Sequence, residues 1–289
     1  MFYCLNSLAL KYNFQSSKHL QLIGWFNKTF IKTGLIENKF GKILRDAFKN
    51  RIMDTVKEIA KMIDHSILHP TLTDNDLEKN CEIAKKYDVA TVCVKPYHVR
   101  KASEILRGSY VAVSAAIGFP HGNSTINIKE SETLQVINDG ATEVDMVLNI
   151  GKAVQNDWNY IDEELRTIND ACIHNGAILK VIFETDFVTN DNDKIKLCEL
   201  CNINKIAFVK TSTGYGFVKR EDGHYNYLGA TEHDLKLMRK HCNSTVQVKA
   251  SGGVRNLDQI LKVKELGATR VGATATEIII EEAMKRFQK

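Results

Sequence analysis

The chain has 289 residues, of which 44% are hydrophobic, enough to build one large core, and domains above about 200 residues are common among α/β barrels. The net charge is only +4 and is spread along most of the chain, which excludes the strong basic field of a nucleic-acid-binding protein. No apolar run reaches the roughly 18 residues of a membrane span. We therefore expect a soluble protein without a nucleic-acid or membrane partner.

The first 52 residues differ in composition from the rest. They contain nine Lys and Arg residues against only two acidic residues, Glu37 and Asp46. This predicts an N-terminal extension over residues 1–52 and a single folded domain over residues 53–289. An acid-poor basic segment fits an organelle-targeting peptide, although lysine predominates over arginine and the apolar stretches are broken. The alternative is that residues 1–52 are a poorly ordered extension, or one translated from a start site upstream of Met53. The protein would then be cytoplasmic.

From Met53 onward, strand-like apolar runs alternate with amphipathic helical runs. The first helix has Thr73 or Asp74 as its expected N-cap. The strands are predicted at about 62–67, 89–94, 111–117, 143–150, 178–184, 205–210, 245–250 and 269–273, and the later helices at about 97–107, 127–139, 158–175, 191–202, 231–242, 256–266 and 275–287. Eight such units predict an α/β fold, the (β/α)8 TIM barrel. A doubly wound sheet is the alternative, but no Gly-x-Gly-x-x-Gly follows the first strand.

A lysine ends the sixth predicted strand. The apolar run Ile206-Ala207-Phe208-Val209 leads directly into Lys210. Burial lowers the pKa of a lysine, so its free amine becomes accessible near neutral pH and can attack a carbonyl carbon to form a Schiff base. The alternative is a lysine that only marks the exit of the strand into water.

Polar residues interrupt the neighbouring strands as well. A barrel strand is covered on both sides, so its two faces are apolar unless the interior carries chemistry. Strands 4 to 7 nevertheless direct four charged side chains into one interior: Asp145, Lys180, Lys210 and Lys249. Each one alone fits a structural ion pair. Together they predict an active site, because barrel enzymes place catalysis at the carboxyl ends of their strands.

The loops after strands 7 and 8 have the composition of an anion site. Ser251-Gly252-Gly253-Val254-Arg255 follows Lys249, and Gly272-Ala273-Thr274-Ala275-Thr276 opens the last helix. Glycine lets backbone N–H groups approach an anion closely, and barrels commonly hold phosphate at these two loops. Elsewhere in a chain, Gly-Gly after a strand is often just a turn.

The cysteines and histidines do not predict a metal site. Seven cysteines without framework spacing suit a reducing compartment. Cys198 and Cys201 form a C-x-x-C pair on one helical stripe, but no second pair completes four ligands, so metal or redox use is the minority interpretation. His65 and His69 are interpreted as a polar cluster at a strand end rather than as ligands.

Several segments together resemble the deoxyribose-phosphate aldolase family, in order and at the right spacing from about Met53 to the end. They are Ile63-Asp64-His65-Ser66-Ile67-Leu68, Val92-Cys93-Val94, Ile117-Gly118-Phe119-Pro120, Glu143-Val144-Asp145-Met146-Val147, Lys180-Val181-Ile182-Phe183-Glu184-Thr185, Phe208-Val209-Lys210-Thr211-Ser212-Thr213-Gly214 and Val248-Lys249-Ala250-Ser251-Gly252-Gly253-Val254-Arg255. The resemblance implies a (β/α)8 class I aldolase of deoxyribonucleoside catabolism. Such an enzyme cleaves 2-deoxyribose 5-phosphate to glyceraldehyde 3-phosphate and acetaldehyde, without a metal or organic cofactor.

The resemblance also implies roles for individual residues. Lys210 matches the Schiff-base lysine, Lys249 the second lysine and Asp145 the acid/base aspartate, while Lys180 is expected to pair with Asp145. The residues expected to hold the substrate phosphate are Gly214, Gly252, Gly253, Gly272 and Thr274. A homodimer is compatible with the sequence.

Two departures from the family pattern concern the phosphate end. Gly272-Ala273-Thr274-Ala275 stands where many members carry Gly-Thr-Ser-Ser, and residues 217–228 replace a short glycine-rich link. Ala275 lacks a hydroxyl that could reach the phosphate, and Lys219 and Arg220 in the insertion could offset this loss with cationic contacts. The alternative is a solvated surface loop in which Glu221 and Asp222 largely cancel these charges. Two rival functions stay open: a Schiff-base aldolase acting on another phosphorylated aldehyde, and a non-catalytic phosphosugar-binding barrel.

Overall fold

The structure, a computed structural model, describes residues 52–219 and 221–287. Residues 1–51 of the expected N-terminal extension lie outside the described residues, and with them the prediction of a targeting or poorly ordered segment. The residues divide into two units, of which Thr55–Met284 contains every strand.

Ten strands are described. They are β1 (Ile63–Ile67), β2 (Thr91–Val94), β3 (Ala112–Ile117), β4 (Glu143–Val147), β5 (Ile178–Ile182), β6 (Phe208–Lys210), β7 (Val218–Lys219), β8 (Tyr225–Asn226), β9 (Gln247–Ser251) and β10 (Arg270–Ala273). Eight of them close a parallel barrel in the order β1-β10-β9-β6-β5-β4-β3-β2. This confirms the predicted TIM barrel and excludes the doubly wound alternative. The remaining two, β7 and β8, form a separate antiparallel hairpin.

Helices follow the barrel strands. They cover residues 52–60 and the segments Asp74–Tyr87, Val99–Ile105, Ile126–Asn138, Ile150–Val154, Trp158–His174, Asp191–Ile203, Glu232–His241, Leu257–Glu265 and Thr276–Phe287, with a short 3-10 turn at Pro96–His98. The first long helix begins as predicted at Thr73, whose hydroxyl accepts from the Asp76 backbone N–H while Asp76 accepts from the Thr73 N–H. This reciprocal capping box satisfies backbone donors that a helix start leaves open.

Two local features differ from the sequence prediction. The fourth strand ends at Val147 rather than at residue 150, because the Asn149 side chain accepts from the Lys152 N–H and starts the short helix Ile150–Val154. The insertion 217–228, expected only as a loop, contains the β7–β8 hairpin. Both features lie after the carboxyl end of a barrel strand, where the chain is free to vary without disturbing the core.

Strand register places the predicted polar residues side by side. In the parallel ladders, Asp145 of β4 pairs with Lys180 of β5, and Lys210 of β6 pairs with Lys249 of β9. Paired residues in neighbouring strands direct their side chains to the same face of a sheet. The four side chains therefore meet inside the barrel. The alternate residues of the same strands, such as Val181, Val209 and Val248, are apolar and lie on the outer face.

Within the described part of the chain, none of the helices has both the length and the apolar composition needed to span a membrane.

Candidate active site

Lys210 ends β6 with its side chain inside the barrel. Only 2% of the residue is exposed, and its Nζ lies 2.8 Å from Oδ2 of Asp145. Burial lowers the pKa of Lys210, and repulsion from the Lys249 ammonium acts in the same direction, while Asp145 opposes both. The net pKa is below the ordinary lysine value, which favours a free amine.

Lys249 shares the carboxylate of Asp145 with Lys210. Its Nζ lies 2.6 Å from the same Oδ2 atom and 2.5 Å from Oδ2 of Asp64. Burial lowers the pKa of Lys249, but attraction from Asp145 and Asp64 outweighs burial, so the net pKa is raised. The pKa values of two neighbouring lysines thus shift in opposite directions: the shift favours the free amine of Lys210 and the ammonium of Lys249.

Lys180 orients the other oxygen of Asp145. The Lys180 Nζ donates to Oδ1 of Asp145 at 2.6 Å and to Oγ of Ser114 at 2.8 Å, and the Ser114 hydroxyl donates to the same Oδ1. Burial alone would raise the pKa of Asp145, but the three surrounding ammonium groups hold it well below its usual range. The carboxylate is therefore ionised and fixed through both oxygens.

Three members of this ion-pair network were not identified as site residues from the sequence. Asp64 of β1 contacts Lys249, and Arg270 of β10 lies 2.6 Å from Asp64 and 3.0 Å from Glu143 of β4. Glu143 in turn lies 2.7 Å from Lys180. Asp64 and Glu143 are acidic residues within strands, so the alternation argument that selected Asp145 could also have selected them.

A cavity of about 190 Å³ opens beside Lys210 and Lys249. The predicted phosphate-binding residues all line it: Gly214, Gly252, Gly253, Gly272 and Thr274. Gly252 and Gly253 have φ values of +89° and +88°, a conformation that L side chains rarely adopt, so the backbone can approach a ligand closely there. Arg255 and Tyr227 also line the cavity, whereas Lys219 is exposed and is not among the lining residues.

The other singled-out residues lie elsewhere. Cys198 and Cys201 are buried in the helix Asp191–Ile203. His65 is held by Thr276 and Asn80 through its two ring nitrogens, and His69 contacts Thr71. Strand alternation would place Glu184 on the same face as Lys180, but Glu184 lies beyond the end of β5 and accepts from Thr213 instead.

One group among the described residues has metal-ligand types in close proximity. Asp191, His233 and Asp234 bring ligand atoms within 4.8 Å of one another. The Nζ of Lys194 lies 2.9 Å from Asp191 and 2.5 Å from Asp234. A lysine ammonium therefore already balances these carboxylates, and the group is an ion-pair cluster between helices.

The chain is similar to known proteins over most of its length. A family model described as "DeoC/LacD family aldolase" matches residues 58–275. A deoxyribose-phosphate aldolase of Rhodopirellula baltica is 44% identical over 230 residues, covering 80% of this chain and 91% of the relative. A solved structure titled "QR15, an Aldolase" matches with a TM-score of 0.71 and 32% identity, covering 80% of this chain and 97% of the other.

A deoxyribose phosphate aldolase from Aeropyrum pernix, described as tetrameric, shares the fold with a TM-score of 0.70 and 24% identity, covering 81% of this chain and 96% of that structure. The family model covers all eight barrel strands, from Ile63 to Ala273, and so includes both lysines and Asp145. The chain belongs to the DeoC/LacD family of aldolases.

Proposed function

We propose that this protein is a deoxyribose-phosphate aldolase that cleaves 2-deoxy-D-ribose 5-phosphate through a Schiff base on Lys210, in deoxyribonucleoside catabolism. The observation that carries the proposal is the shared carboxylate. Lys210 and Lys249 both contact Oδ2 of Asp145, yet the pKa of Lys210 is lowered and that of Lys249 is raised. One lysine is suited to be a nucleophile and the other a proton donor.

The carbon count of the products identifies the bond that breaks. Acetaldehyde carries two carbons and glyceraldehyde 3-phosphate three, so cleavage occurs between C2 and C3 of the open-chain sugar. The amine of Lys210 attacks C1, and loss of water from the carbinolamine gives an iminium. Removal of the C3 hydroxyl proton then lets the C2–C3 electron pair move into the iminium, which releases glyceraldehyde 3-phosphate and leaves an enamine.

Protonation of the enamine at C2, followed by hydrolysis, releases acetaldehyde and restores the Lys210 amine. Asp145 and Lys249 are positioned to move these protons, with water as the third participant. Lys180 holds Asp145 ionised and oriented through Oδ1. The iminium is the electron sink of this reaction, so the proposed chemistry requires no metal and no organic cofactor.

The phosphate is proposed to bind at the cavity end formed by Gly214, Gly252, Gly253, Gly272 and Thr274. Backbone N–H groups at such loops are ready donors to an anion. Lys210 and Lys249 line the same cavity, so the aldehyde carbon and the phosphate of one substrate can be held at the same time.

Borohydride reduction in the presence of 2-deoxyribose 5-phosphate tests the proposal, because it converts the iminium into a stable secondary amine. Peptide mass mapping is expected to place the adduct on Lys210. A trapped adduct on Lys249 would reverse the roles of the two lysines. No adduct and no turnover would favour the rival function of a non-catalytic phosphosugar-binding barrel.

A second candidate substrate is another phosphorylated aldehyde. Ala275 and the β7–β8 hairpin both differ from the expected family pattern at the phosphate end. Comparing kcat/KM over a panel of sugar phosphates separates this candidate from the first, since 2-deoxyribose 5-phosphate should give the highest value.

A cytoplasmic location and assembly into a homodimer are separate proposals. The Aeropyrum pernix relative is described as tetrameric, which makes homo-oligomers a reasonable expectation within this fold. Light scattering of the full chain measures the assembly mass against the 32.6 kDa monomer.

A further inference from the structure

Both ends of the inserted hairpin pack closely against the catalytic face of the barrel, and each end has a glycine at the point of contact. A Cβ at Gly216 would come within 2.8 Å of the Glu184 carboxyl group, and a Cβ at Gly229 within 2.5 Å of the Gly252 carbonyl oxygen. Neither position has room for a side chain. The backbone at the end of the insertion therefore lies directly against Gly252, one of the glycines that line the active-site cavity.

Asp186 fixes the second end further. Its carboxylate accepts from the N–H of Leu228 at 2.6 Å and from the N–H of Gly229 at 2.9 Å. The Ala230 N–H also donates to the Gly252 carbonyl at 3.1 Å. Hydrogen bonds to a buried carboxylate are among the stronger ones in proteins, so the segment that follows β8 has a defined place beside the cavity.

Among the described residues of the hairpin, Tyr227 is the one that reaches the cavity. It lines the space shared by Lys210, Lys249 and Arg255, and its ring lies 3.5 Å from the position of a Cβ on Gly252. Phe217, at the other end of the hairpin, contacts the Tyr227 ring edge-on with centroids 5.6 Å apart. The ring is therefore held between the hairpin and the glycine loop, which limits its rotation.

We propose that Tyr227 is a substrate-binding residue whose hydroxyl donates a hydrogen bond to the phosphate of the sugar phosphate, so that the hairpin contributes to selection of phosphorylated aldehydes. This inference rests on the proposed function, whose cavity it extends. A phenol is a neutral donor, and donation to a phosphate oxygen is a charge-assisted hydrogen bond. It would replace the hydroxyl that is missing at Ala275.

A second tyrosine supports this assignment. Tyr215 lines the same cavity and contacts Phe119 edge-on at 5.5 Å. Burial raises the pKa of Tyr215, and the neighbouring Tyr227 raises it further, so Tyr215 stays a protonated donor at neutral pH. The lining of the cavity thus carries two phenol groups, and one of them comes from the inserted segment.

The test compares Tyr227→Phe with Tyr225→Phe in the full chain. Both substitutions remove one hydroxyl from the same hairpin, but Tyr225 is 68% exposed and does not line the cavity. We expect Tyr227→Phe to raise KM for 2-deoxyribose 5-phosphate by about tenfold or more, with kcat within about twofold. KM for unphosphorylated 2-deoxyribose should not change, and Tyr225→Phe should match the parent with both substrates.

Equal KM values for Tyr227→Phe and the parent would overturn the proposal, and so would an equal loss with both sugars. Calorimetric titration with inorganic phosphate separates this result from a failure of the proposed function. If the parent binds phosphate and Tyr227→Phe binds it about tenfold more weakly, the inference holds even for a chain that does not cleave the sugar. A parent that binds no phosphate, or a variant that binds it equally well, overturns it.

Discussion

The ammonium of Lys249 lies 2.5 Å from the carboxylate of Asp64, in the barrel interior where both residues are at most 1% exposed. Among the described ion pairs, Lys210 contacts one carboxylate, that of Asp145, whereas Lys249 contacts those of Asp145 and Asp64. The attraction of Asp64 contributes to the raised pKa of Lys249. A residue of β1 thus contributes to the difference in pKa between two neighbouring lysines.

Asp64→Asn should shift one limb of the pH–rate profile. The active form has Lys210 neutral and Lys249 protonated, so activity rises with pH as Lys210 loses its proton and falls as Lys249 does. Removing the Asp64 charge lowers the pKa of Lys249, which moves the falling limb to lower pH by about 1–3 units. Glu143→Gln is the control, because Glu143 contacts Lys180 and Arg270 in the same network. An unmoved falling limb in Asp64→Asn would contradict this account.

Substitution of the two lysines should have different consequences. Lys210→Ala is expected to abolish turnover because no amine remains at the end of β6. Lys249→Leu should leave a folded protein that is roughly 10²–10⁴-fold slower. Without Lys249, the repulsion that lowers the pKa of Lys210 is lost and Oδ2 of Asp145 pairs with Lys210 alone, so the rising limb of the pH–rate profile should move to higher pH. A profile unchanged in position would show that Lys249 does not tune the nucleophile.

A chain that begins at Met53 is expected to fold and keep its activity, because the barrel pattern begins there. The matched comparison is a chain that begins at Met62. It lacks Val56, Ile59 and Ala60, which are all buried. Burying a Val or Ile side chain contributes about 1.5–3 kcal/mol. We expect the shorter chain to unfold at lower denaturant concentration, whereas an inactive or insoluble chain from Met53 would show that residues 1–52 stabilise the barrel.

The ion pair of Lys129 and Glu164 tests the cost of an isolated buried charge. Both residues are fully buried, with Nζ and Oε1 2.7 Å apart. Lys129 also donates to the Val147 carbonyl, and Glu164 accepts from the Asn149 N–H, so the pair holds the chain just after β4. Lys129→Met should lower the free energy of unfolding by roughly 3–5 kcal/mol.

The double variant Lys129→Met/Glu164→Leu serves as the control in the same denaturation experiment. It should recover part of that loss, because no unpaired charge remains buried, while the hydrogen bonds to the Val147 carbonyl and from the Asn149 N–H stay lost. A single variant within about 1 kcal/mol of the parent would contradict the prediction and would mean that Glu164 takes up a proton at little cost.

The alternation of strands and helices predicted the barrel, and a second rule predicted its four central charges. A strand buried on two faces should be apolar, so Asp145, Lys180, Lys210 and Lys249 appeared as exceptions. Asp64 is an exception of the same kind, but His65 and Ser66 follow it directly, so both faces of β1 carry polar residues and the sequence shows no alternation there.

The β7–β8 hairpin could not be predicted from strand periodicity. Its two strands have only two residues each, too short for a period-2 pattern to be detected. The place of Tyr227 depends on contacts of Asp186 and Gly252, which are distant in sequence from the insertion. Residue spacing within the chain carries no signal for such long-range tethering.

The total charge of the buried ion-pair network depends on the protonation state of its lysines. Three carboxylates, Asp64, Glu143 and Asp145, face four cationic side chains, Lys180, Lys210, Lys249 and Arg270. The network is neutral when one of its four cationic groups is uncharged, and Lys210 is the one whose pKa is lowered, so this balance favours its free amine. Once Lys210 becomes an iminium, the surplus positive charge is matched by the phosphate that the same substrate brings into the cavity, and a substrate without phosphate leaves that charge unbalanced.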